Sequence, residues 1–78
     1  MVEIIRTNVA HRADADQLKK KIIASIGDCR LTFDLEDRDR ILRISSENHI
    51  DVGAVIRILG INGFSAELLP GETSGSLL

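Results

Sequence analysis

The chain has 78 residues, a single cysteine and a formal net charge of −2 from 10 basic and 12 acidic side chains. That length allows one domain around one core, a lone cysteine excludes an intramolecular disulfide, and the charge balance supplies no positive field to hold a polyanion. A disulfide-stapled secreted scaffold and a nucleic-acid partner are therefore set aside, and two Phe with no Trp or Tyr leave little for base stacking.

No stretch approaches the ~18 uninterrupted apolar residues of a membrane helix. Met1 to Arg6 lacks the basic and apolar regions of a signal peptide. The expectation is a cytoplasmic domain with no membrane partner.

In chain order, Val2 to Val9 is rich in β-branched residues and reads as a first strand. Asp14-Ala15-Asp16-Gln17 has the spacing of a capping box, which predicts a helix starting with Asp14 as its N-cap. Ala15, Leu18, Ile22 and Ile26 recur at helical spacing and line one face, with Lys19, Lys20 and Lys21 largely outside it, and Gly27 ends the helix. From Cys29 the period becomes two: Leu31, Phe33 and Leu35 alternate with Arg30, Thr32, Asp34 and Glu36, as in a half-buried strand.

Asp37-Arg38-Asp39 makes a polar turn, and Arg40 to Ser45 returns as the second strand of an antiparallel hairpin, with Leu42 and Ile44 inward. Asp51 caps a second helix with Val52, Val55, Ile56 and Leu59 on its apolar face, and Asn62-Gly63 closes it. Phe64, Ala66 and Leu68 alternate with Ser65 and Glu67 in a last strand. Beyond Pro70 the run Gly-Glu-Thr-Ser-Gly-Ser is small and polar, so residues 70–78 read as a flexible tail, which leaves a domain over residues 1–69.

Two helices with one apolar stripe each need one shared sheet face. The β-α-β-β-α-β order supplies it as a ferredoxin-like α+β sandwich, a four-stranded antiparallel sheet in the order 4-1-3-2 with both helices on one face. That topology gathers the loop after the first strand, the hairpin turn and the loop before the last strand at one end. Cys29 and His49 fall toward the other.

Across Val2 to Leu69 the pattern resembles the heavy-metal-associated domains of copper chaperones and metal-transporting ATPases. Asn8-Val9-Ala10-His11-Arg12-Ala13-Asp14 falls on that family's Gly-Met-Thr-Cys-x-x-Cys loop when Leu18 and Ile22 take its apolar helix positions. Ile41-Leu42-Arg43-Ile44 and Leu59 through Phe64 continue the likeness. His11 and Asp14 stand in the two cysteine places. Copper(I) favours soft thiolates, so the family's copper exchange is not expected of this loop.

The resemblance implies a noncatalytic binding or interaction domain that has lost its thiolate metal site. The alternative is a metal-binding or trafficking protein holding zinc or nickel at His11 and Asp14, with Asp16, Asp37, Asp39 or a second chain completing a set that needs about four ligands. A third reading, an amino-acid-binding regulatory domain, lacks a glycine-rich ligand loop. No cofactor is required, and no catalytic triad, phosphate loop or paired carboxylates suggest an enzyme. The expected contact surface, for a protein partner or a second copy, combines an aliphatic strip at Ile41 and Leu69 on the open sheet with a basic helix face at Lys19, Lys20 and Lys21 and an acidic hairpin from Asp34 to Asp39.

Overall fold

A computed structural model describes residues 1–70. In chain order its elements are β1 (Val2–Thr7), α1 (Arg12–Ile26), β2 (Arg30–Asp34), β3 (Ile41–Ser45), α2 (Val52–Ile61) and β4 (Ala66–Leu68). The strands form one sheet in the order β2-β3-β1-β4, every neighbouring pair antiparallel, which is the 4-1-3-2 ferredoxin-like arrangement read from its other edge. The expected tail, apart from Pro70 itself, lies outside the described residues.

The register fixes which side chains share a face. Ile5 lies opposite Leu42, Leu42 opposite Phe33, and Ile44 opposite Leu31. With period two these residues point to one side, where they meet Ala15, Leu18 and Ile22 of α1 and Val55 and Leu59 of α2 in a single buried core. Val9 and Ile50, in the connections after β1 and before α2, are also buried in that core. The helices therefore cover one face of the sheet, and no described element covers the other.

The two helix starts differ. Asp51 caps α2 as expected, its carboxylate accepting from the Ala54 N–H at 3.1 Å. Ile50 before it and Val55 after it are both buried in the arrangement of a hydrophobic staple. At α1 the capping-box expectation is overturned: the helix begins at Arg12, the N-cap is His11, and no side chain caps it. Asp14 lies inside the first turn, where its charge favours the helix dipole without closing the backbone. Gly27 ends α1 at φ 90° and Gly63 follows α2 at φ 90°, a region in which a Cβ is strained.

Candidate functional site

The end of the molecule that carries the first loop is built from three connections tied together by hydrogen bonds. Thr7, buried at the end of β1, donates its hydroxyl to the Arg40 carbonyl at 2.7 Å and accepts from the Val9 N–H at 3.1 Å. Its own N–H reaches the Asp39 and Arg40 carbonyls in the hairpin turn. Asn8 accepts from the Ser65 N–H at 2.8 Å, joining the first loop to the connection before β4. Arg40 takes a left-handed φ of 48° and sends its guanidinium back to the Leu35 carbonyl.

Thr7 and Asn8 thus spend their polar atoms on the fold. Sequence reading passed over both; the only signal was two side chains with local hydrogen-bonding habits at a strand end.

Beside this joint, His11 is exposed and Asp14 half-buried. The joint does bring the hairpin turn to the first loop. It does not deliver ligands, because among the described residues no three His, Cys, Asp or Glu side chains are placed to hold a metal ion. One imidazole and one carboxylate are a poor match for copper(I) and an incomplete set for zinc or nickel. Asp14 instead lines a shallow hollow of about 250 Å³ with Gln17, Lys21, Asn62 and Phe64. The residues present do not fit the metal of the heavy-metal-associated pattern.

The open sheet face is mixed. By register it carries Val2, Ile4 and Arg6 of β1, Ile41 and Arg43 of β3, Arg30, Thr32 and Asp34 of β2, and Glu67 of β4. Arg6 and Glu67 approach to 3.8 Å with both side chains exposed, a pair of small energetic weight. Ile41 does point away from the helices, yet only 8% of it is exposed, so the expected exposed strip at Ile41 and Leu69 is corrected. Ile41 sits between Arg6 and Asp34 in the register, and arginine lays its methylene stem over apolar neighbours while its charge stays in water.

Leu69 is half-buried, its N–H bonded to the Ile4 carbonyl at 2.9 Å. Among the described residues the exposed large apolar side chains are Met1, Val2, Ile23, Ile61 and Leu68. Nor do the three lysines form one face, since consecutive helix residues are about 100° apart. Lys21 turns to α2 and bonds Asn62 Oδ1 at 2.5 Å, Lys20 is exposed, and Lys19 is half-buried.

At the other end, Asp28, Cys29, Arg30, Ser45, Ser46 and Asn48 are among the residues lining an open cleft of about 690 Å³. Burial, then the neighbouring Asp28 charge, pushes the Cys29 thiol up. It packs beside the core as a half-buried side chain, held in the protonated form that is a poor nucleophile and a poor metal ligand. His49 is exposed in the connection to α2 and is not part of the cleft lining. No helix of the described residues is long and apolar enough to cross a membrane. Neither a protein-family model, nor a curated protein, nor a solved structure matches the chain.

Proposed function

We propose that this is a noncatalytic binding domain of the cytoplasm, built on the heavy-metal-associated pattern without its thiolate site, which acts by presenting its sheet to a protein partner. The observation that carries this reading is the contrast between the two regions. Thr7 and Asn8, where β1 enters the first loop, bind the hairpin turn and the connection before β4, whereas among the described residues the sheet keeps one face without a covering element and an exposed aliphatic side chain, Val2, on it. The competing reading, a nonthiolate zinc or nickel site at His11 and Asp14, draws support from the exposure of His11 alone.

A photoreactive benzophenone side chain in place of Val2 tests the reading in cells. Discrete protein adducts are expected at this position and not at His49, which lies off the sheet. Absence of adducts, together with stoichiometric zinc binding that His11→Ala abolishes, would replace the binding-domain reading with the metal one.

A further inference from the structure

The two edges of the sheet are finished differently. β4 is three residues long and runs within two residues into Pro70, which has no N–H to offer another strand. β2 is a regular five-residue strand paired only with β3, without proline, glycine or bulge, and its inward side chains Leu31 and Phe33 are apolar. Proteins ordinarily blunt such an edge, because its free N–H and C=O groups template another strand.

The sequence of β2, Arg30-Leu31-Thr32-Phe33-Asp34, also complements itself. Laid antiparallel against a copy and centred on Thr32, it sets Arg30 across from the copy's Asp34 at both ends. Leu31 then meets the copy's Phe33, and Thr32 meets Thr32. The charged pairs lie on the open face, where Arg30 and Asp34 are exposed; the apolar pairs lie on the helix face.

Helix α1 adds to the same side. Lys21 marks the flank of α1 that faces α2, through its bond to Asn62, and Ile23 stands about 200° further round the helix. α2 contacts β4, so the flank of α1 bearing Ile23 is the one turned away from the β4 side of the sheet, and Ile23 is 43% exposed. That flank adds an exposed aliphatic side chain away from the finished edge.

We propose that a second copy of the chain is a partner of this domain, joined by antiparallel pairing of the two β2 edges into a continuous eight-stranded sheet with a two-fold axis at Thr32. This rests on the reading that the sheet meets the partner; the pairing uses the sheet's edge and leaves the open face with Val2, two strands away, to its own test. The interface is isologous, so each Arg30–Asp34 contact occurs twice and a single substitution is felt twice.

Sedimentation velocity from micromolar to millimolar protein tests the pairing. The unaltered chain should dimerise reversibly. Asp34→Arg alone, or Arg30→Asp alone, sets like charges across both ends and should weaken dimerisation on the order of tenfold or more. Mixing the two variants in equal amounts restores opposite charges at every pair and should restore the dimer, as should the double exchange in one chain. Asp34 also accepts from the Asp37 N–H at 3.2 Å, so its substitution loosens the turn. The Arg30 side chain has no hydrogen bond or ion pair among the described residues, and it is exposed, so its variant separates the pairing from folding effects.

A dimer unaffected by both single exchanges, or one that the mixture fails to restore, would overturn the β2 pairing. So would a strict monomer. A monomer that still gives adducts with other proteins at Val2 would sink the pairing alone and leave the binding-domain reading standing, whereas a monomer without adducts would remove both.

Discussion

Thr7 is the buried polar side chain among the described residues, and it joins β1 to the hairpin turn with its hydroxyl serving as donor and acceptor at once. Thr7→Val keeps the shape and removes both bonds, leaving the Val9 N–H without its partner. The expected cost is about 1–3 kcal/mol in urea unfolding, with Thr7→Ser recovering most of it. Cys29 makes a separate prediction at the same scale. Its folded pKa is raised above that of an unfolded thiol, about 8.5, so the folded state holds the proton more tightly. The stability this contributes is fully present below the unfolded value and is lost as pH rises through the folded one. Iodoacetamide should therefore alkylate the folded protein more slowly than the urea-unfolded chain at pH 8, and stability should decline in alkaline solution by an amount that Cys29→Ala removes.

At the scale of the element, β-branched content and the apolar periods found all four strands and both helices, but not every member. Ile56, expected on the apolar face of α2, lies outside the core, where Ile58 packs instead, and Phe64 precedes β4 rather than belonging to it. The termini were less legible where two signals competed. Asp51 preceded an apolar run and became the cap; Asp14 sat in an equally good capping spacing, yet α1 starts earlier, at Arg12, because nothing in Arg12-Ala13 resists the helix. Asp51→Ala should accordingly cost about 1 kcal/mol, whereas Asp14→Ala should cost only a dipole contribution of about 0.3–1 kcal/mol. Glycine separates the positions further. Gly60 lies within α2 with open space around its missing Cβ, so Gly60→Ala should raise stability by about 0.4–1 kcal/mol; Gly63 holds φ 90°, so Gly63→Ala should lower it. Thermal unfolding of the four variants checks the set.

For the molecule as a whole, the core is a single layer between sheet and helices, and Phe33, 4% exposed at the sheet edge, is its largest side chain. Phe33→Ala should cost about 3–5 kcal/mol, a large share of the ~5–15 kcal/mol that holds a domain folded. Sequence alone placed Phe33, Leu42 and Ile44 in that core, and it brought the three loops to one end. It could not foresee that Ile41 would be covered while pointing outward, since period two gives a side chain's direction and says nothing of how closely its neighbours pack around it. Nor could it foresee that Asn8 and Thr7 would bind the fold rather than a ligand, which takes the tertiary partners Ser65 and Arg40 to see. The central claim is that the sheet, and not the first loop, meets the partner. Two-dimensional amide NMR tests it most directly, recorded over a protein dilution series and again with equimolar zinc. The account predicts concentration-dependent shifts confined to β2 and the flank of α1 around Ile23, with residues 8–14 unmoved by zinc. Saturable zinc shifts in residues 8–14, with the β2 amides constant on dilution, would contradict it.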